Sequence, residues 1–193
     1  MEDFKLFLKL GLDHVLDFSA YDHILFLIAL AVVYQLNNWK KVLWLITLFT
    51  IGHTLTLALS AYKVLNIRID IVEFLIPLTI FITAFINLLT ANNSSSPKVN
   101  INLFFAFFFG LIHGLGFSNY FRMIIEDTDS KLLPLIEFAL GIEVAQVIIV
   151  LGILLIGLFA QRVLKVSKRD WVLILSSIVI GFVIPMLIER KFW

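Results

Sequence analysis

No cysteine occurs among the 193 residues, which excludes disulfides, thiolate catalysis and thiolate metal ligands together. Charge is also scarce. Lys, Arg, Asp and Glu make up 15% of the chain and nearly cancel, leaving a net charge of +1, so neither nucleic acid nor an acidic partner is indicated. The N-terminal stretch MEDFKLFLKL lacks the basic, apolar and small-residue order of a cleavable signal, and the first span is expected to direct insertion. No polar block is long enough for a separate soluble domain. What is present is apolar: 61% hydrophobic residues and a mean hydropathy of +1.01. These values predict an all-α polytopic bundle in the lipid bilayer, forming one transmembrane domain over residues 1–193.

Apolar runs of about 20 residues match a hydrocarbon core about 30 Å thick. Six are predicted, at roughly 20–36, 41–62, 70–91, 101–119, 132–160 and 170–189. The linkers NNWKK, KVLNIR, NNSSSPKVN, RMIIEDTDSK and QRVLKVSKR separate them. Residues 3–17 alternate Phe, Leu and Val with Lys and Asp at helical spacing, which predicts a short helix lying on the membrane surface. Trp39, Trp44, Trp171 and Trp193 read as interfacial anchors. The basic cluster Arg162, Lys165, Lys168 and Arg169 favours a cytoplasmic loop there and both termini outside.

Ionisable side chains within spans are costly in lipid and read as functional. Here they are Asp22, His23, His53, Glu73, His113, Glu137 and Glu143. With a rise of about 1.5 Å per residue and alternating span directions, all of them fall in one half of the membrane, with His14 on the surface helix at the rim. Neutral imidazoles and carboxylates converging from several helices suit a borderline divalent ion such as Ni²⁺, Zn²⁺, Fe²⁺ or Co²⁺; Cu⁺ would prefer sulfur. His14, Asp22, His23, His53, His113 and Glu143 are the expected metal ligands. Glu73 and Gln146 are expected in support, with Glu137 in reserve. Milder roles exist for each. One intramembrane histidine can simply bond a neighbouring helix, and Glu73 in a first turn suits the helix dipole. The stripes Thr47, Thr50, Thr54 and Thr79, Thr83, Asn87 are expected to bond within or between helices. Gly110 and Gly114, on either side of His113, are expected to admit a close neighbouring helix.

The runs GLDHVLDFSAYDHILFLIAL, FTIGHTLTLALS, VEFLIPLTIFITAFINLL, FFGLIHGLGFS and LGIEVAQ resemble, in order and content, the HupE/UreJ family of bacterial membrane proteins over about residues 11–147. Asp22-His23, Gly52-His53, His113-Gly114 and Glu143 with Gln146 are the most specific parts. The resemblance implies a nickel permease, or a metal-delivery accessory serving the maturation of hydrogenase or urease, in the bacterial inner membrane. The residues alone leave two other classes open. One is an intramembrane metallohydrolase, in which an ion with three protein ligands activates water against a lipid or peptide bond. The other is a protein whose histidines only bond helices together. The half of the membrane away from the histidines holds Thr47, Asn87 and Asn102 but no ionisable ladder, which argues against a simple channel. Imidazoles must be neutral to ligate, so Ni²⁺ affinity should hold above about pH 7 and fall steeply towards about pH 5, around the reference pKa of about 6.5. Calorimetric titration across that range checks this, and a flat profile would exclude histidine ligands.

Overall fold

The computed structural model describes residues 2–17, 21–65, 67–92, 99–126, 128 and 130–193. Through them run α1 (Glu2–Leu16), α2 (Asp22–Ala31), α3 (Trp39–Ala61), α4 (Ile69–Thr90), α5 (Val99–Ile124), α6 (Leu132–Arg162) and α7 (Lys168–Glu189), with one 3-10 turn at Leu36–Asn38 before α3. The linkers KVLNIR, NNSSSPKVN and RMIIEDTDSK fall partly outside the described residues, as does residue 20, the expected start of the first span. Helices α3 to α7 are each long and apolar enough to cross a membrane. The chain is an integral membrane helix bundle.

The first expected span, 20–36, takes a different form. Its helix, α2, has 10 residues, which rise only about 15 Å, half of a hydrocarbon core. Its apolarity reflects burial in protein: Leu25, Phe26, Leu27, Ala29, Leu30 and Ala31 are all buried, and a helix apolar on every side belongs in a core as readily as in lipid. The chain leaves α2 in a turn where the Tyr34 N–H bonds the Ala31 carbonyl at 2.9 Å. Side chains from three other helices hold that end. Asn87 Nδ2 on α4 donates to the Ala29 carbonyl at 2.7 Å, Asn102 Nδ2 on α5 to the Tyr34 hydroxyl at 2.9 Å, and Gln35 Nε2 to Gln161 on α6 at 3.0 Å.

The N-terminal helix forms as the spacing predicts, but it docks into the bundle. Phe7, Gly11 and Val15 make a buried stripe at intervals of four, and α1 packs along α6. A Cβ on Gly11 would stand 2.2 Å from the Phe138 carbonyl oxygen, and one on Gly141 would stand 2.2 Å from that of Leu8. The two backbones are in direct contact. The same device joins α3 to α5. A Cβ on Gly52 would lie 2.4 Å from the Phe107 oxygen, one on Gly110 2.2 Å from the Phe49 oxygen, and one on Gly114 2.3 Å from the His53 oxygen. Gly110 and Gly114 thus act as the sequence suggests, and Gly52 joins them. Lipid removes most of the hydrophobic drive between helices, so such close approaches carry much of the association.

Alanine at Gly52 or Gly110 should therefore destabilise the bundle by about 1–3 kcal/mol, as overpacking does. Alanine at Gly152 or Gly181, where a Cβ would meet nothing within 4 Å, should be neutral or stabilising by up to about 1 kcal/mol. Thermal midpoints in detergent check the contrast, and equal midpoints for all four variants would remove the crossing from the fold's support.

Candidate metal centre

Four helices deliver the histidines. His14 lies near the end of α1, Asp22 and His23 open α2, His53 follows Gly52 on α3, and His113 precedes Gly114 on α5. The glycines that let the helices touch are thus the neighbours of the side chains that meet. One ring nitrogen from each of His14, His23 and His53 lies within 4.8 Å of the other two. Ring centroids are 4.6 Å apart for His14 and His23, 5.6 Å for His14 and His53, and 6.0 Å for His23 and His53. His113 joins through His23 at 5.5 Å. By helical rise His53 sits about 12 Å inside the end of α3 and His113 about 16 Å inside that of α5. His14, expected at the rim on a surface helix, instead shares one group with His23 and His53, because α1 docks on α6 and carries His14 inward.

Hydrogen bonding orients two of the rings. His23 Nδ1 donates to Asp22 Oδ1 at 3.1 Å, and His113 Nδ1 donates to the Phe109 carbonyl at 2.8 Å. With the proton held on Nδ1, each Nε2 presents a lone pair to a ligand. Nε2 of His14, His23 and His113 and both ring nitrogens of His53 are buried with no hydrogen-bond partner among the described residues. Leaving a buried polar atom unpaired costs about 1–3 kcal/mol each. A shared cation removes that cost at several atoms at once. A tetrahedral ion with metal–nitrogen bonds of about 2.1 Å needs nitrogens about 3.4 Å apart, so modest ring movement from the 4.8 Å limit closes the set.

The surroundings are aromatic. Phe117 lies 4.1 Å from His14, Phe49 and Phe26 lie 5.1 and 5.2 Å from His113, and Phe138 lies 6.3 Å from His53, centroid to centroid. Nitrogen donors in a water-poor jacket favour a borderline divalent ion over Mg²⁺ or Ca²⁺. Asp22 supplies the carboxylate of the group without being tied to one partner. Its Oδ1 also accepts the His23 backbone N–H at 2.9 Å, and its Oδ2 faces Arg190 Nη1 at 3.6 Å. Arg190 was not among the expected site residues. A basic residue just past a span reads as an interfacial anchor, and no local signal marks it for Asp22.

Other expected residues lie elsewhere. Glu143 accepts from Thr47 Oγ1 at 2.6 Å, and Thr50 Oγ1 lies within hydrogen-bond distance of both Glu143 Oε2 and, at 3.1 Å, Gln146 Oε1. These bonds tie α3 to α6 beside the histidines, and they engage threonines that the sequence leaves as helix glue. Thr79 and Thr83 bond back to the carbonyls of Ile76 and Thr79. Glu73 is exposed on α4, while Glu137 is buried on α6.

A family model described as HupE / UreJ protein matches residues 1–190. The chain belongs to the HupE/UreJ family. No curated protein and no solved structure matches it. The family match runs beyond the motifs at residues 11–147 through the whole of α7, and so takes in Arg190 of this HupE/UreJ chain. Arg190→Met should weaken Ni²⁺ binding about tenfold, the usual scale for losing a group that orients a ligand, while Arg190→Lys should restore most of it. Calorimetry on the purified protein checks this, and unchanged affinity in Arg190→Met would reduce the Asp22 contact to a structural one.

Proposed function

We propose that the protein is a permease of the bacterial inner membrane for a divalent transition metal, with Ni²⁺ the first choice and Co²⁺ or Zn²⁺ close in chemistry. The observation that carries this reading is the set of buried imidazole nitrogens, brought from four helices and left without hydrogen-bond partners among the described residues. Family membership supports it, since HupE/UreJ motifs imply nickel handling. His14, His23 and His53 bind the cargo, His113 completes or exchanges within the set, and Asp22 holds His23 in its ligating tautomer. The aromatic rings strip water from the ion as it enters. Both termini face outside in this reading, and the ion passes inward to a metalloenzyme maturation system.

Asp22 is the reason to prefer transport over hydrolysis. A hydrolase needs a carboxylate at liberty to take a proton from metal-bound water. Asp22 is bonded to His23 and faces Arg190, which suits it to orienting a ligand. After incubation with Ni²⁺ and desalting, plasma mass spectrometry should find about one ion per wild-type chain and under about a tenth of that in His53→Ala or His113→Ala, both eluting as folded protein. A folded wild type that retains no Ni²⁺, Co²⁺ or Zn²⁺ would overturn the reading.

A further inference from the structure

One to two turns along α3 from His53, towards the start of the helix, α3 and α6 share a second polar group. Thr47 Oγ1 donates to Glu143 Oε1 at 2.6 Å. Thr50 Oγ1 stands against three acceptors: Glu143 Oε2, Gln146 Oε1 at 3.1 Å and the Ile46 carbonyl oxygen at 3.1 Å. A hydroxyl carries one hydrogen. It serves one of these oxygens at a time, so lone pairs are left facing one another without a positive partner. Gln146 is 0% exposed, and its Nε2 has no hydrogen-bond partner among the described residues. Glu143 has no ion-pair partner among the described residues either. Further towards the start of α3, Thr47 also lines a cavity of about 320 Å³ with Trp39, Lys40, Leu43 and Trp44.

Building on the permease reading, we propose that Thr47, Thr50, Glu143 and Gln146 form a second cation station, made of oxygen donors, which receives the divalent metal ion from the histidines and passes it towards that cavity. When the ion arrives, the Thr50 hydrogen turns to the Ile46 carbonyl, and its oxygen lone pairs join those of Glu143 and Gln146. Oxygen donors hold a borderline ion less tightly than imidazoles. The ion therefore moves from a firm site to a looser one, as passage requires.

The test uses the full-length chain with Ni²⁺ and Mn²⁺ as probes, because Mn²⁺ favours oxygen donors. In a His53→Ala/His113→Ala double variant, Ni²⁺ binding should be lost while Mn²⁺ binding, read from the paramagnetic signal of the free ion, persists. Glu143→Gln should weaken Mn²⁺ binding by about tenfold or more and leave Ni²⁺ binding within about twofold of wild type. In sealed vesicles, Ni²⁺ uptake should fall by about tenfold or more in Glu143→Gln and in the same direction in Thr50→Val, so that a folding defect in one variant does not decide the matter. Mn²⁺ binding indifferent to Glu143→Gln, or uptake equal to wild type, would overturn the second station and leave the permease reading standing. Joint loss of Ni²⁺ and Mn²⁺ binding in a folded Glu143→Gln would overturn it too, by merging Glu143 with the histidine site. A double histidine variant that binds Ni²⁺ as wild type does, or wild-type vesicles that take up none, would overturn the permease reading itself.

Discussion

Direct backbone contact at glycine governs this bundle. Gly52, Gly110 and Gly114 bring α3 against α5, and Gly11 and Gly141 bring α1 against α6, in each case so closely that a single Cβ would collide with a carbonyl oxygen. In water, burial of apolar surface would drive such helices together; in lipid the surroundings are as apolar as the helix faces, and dispersion at short range has to carry more of the association. The same contacts set the chemistry. His53 is next to Gly52, His113 is next to Gly114, and His14 stands one turn from Gly11. Helices held a side chain's width further apart would leave those imidazoles too far from one another to share an ion.

The closeness carries a cost, because several imidazole nitrogens are buried with no hydrogen-bond partner among the described residues. Such a group persists in a fold only when the surrounding packing fixes it or a ligand relieves it. Both apply here. Phe26, Phe49 and Phe138 are 0% exposed and pack against His53 and His113, which holds those two rings in place; in the proposed permease a bound metal would turn the unpaired nitrogens into ligands. On the permease reading, metal binding would then contribute to the stability of the folded bundle as well as to cargo selection. The Arg190–Asp22 contact extends this logic. It links the segment after α7 to the first turn of α2, so the last helix helps to aim a ring presented by the second.

Much of this was legible in the sequence, and the limits have physical reasons. Long apolar helices announce themselves because about 20 residues must be apolar to cross lipid, and α3 to α7 appear close to where the runs of hydrophobic residues put them. The α2 segment misled because apolarity does not distinguish burial in protein from burial in lipid. Only the side-chain bonds that join Asn87 to Ala29, Asn102 to Tyr34 and Gln35 to Gln161 explain why the chain turns where it does, after a helix of half a span. That His23, His53 and His113 share one half of the membrane followed from helical rise alone. The depth of His14 did not, because it depends on a glycine contact between α1 and α6 across more than a hundred intervening residues. Arg190 and the engagement of Thr47 and Thr50 by Glu143 were hidden for the same reason: each is a contact in space between residue types whose commonest roles are unremarkable.

The charges suggest why the two polar groups lie so close together. Imidazoles ligate as neutral groups, and the charge of Asp22 is offset by Arg190. In the proposed pathway, a divalent ion among the histidines therefore arrives with little anionic compensation beyond its own ligands. Glu143 of α6, with no ion-pair partner among the described residues, meets Thr47 and Thr50 one to two helical turns along α3 from His53. At a separation of about 8 Å and an effective dielectric of about 20, a double positive charge and a carboxylate attract by about 4 kcal/mol. That attraction offsets part of the loss in exchanging nitrogen for oxygen ligands, so neither station becomes a trap. Had Glu143 stood among the histidines, charge and donor preference would have acted together and held the ion fast. Their separation by a turn of helix divides affinity from charge, and it gives the ion a reason to move on.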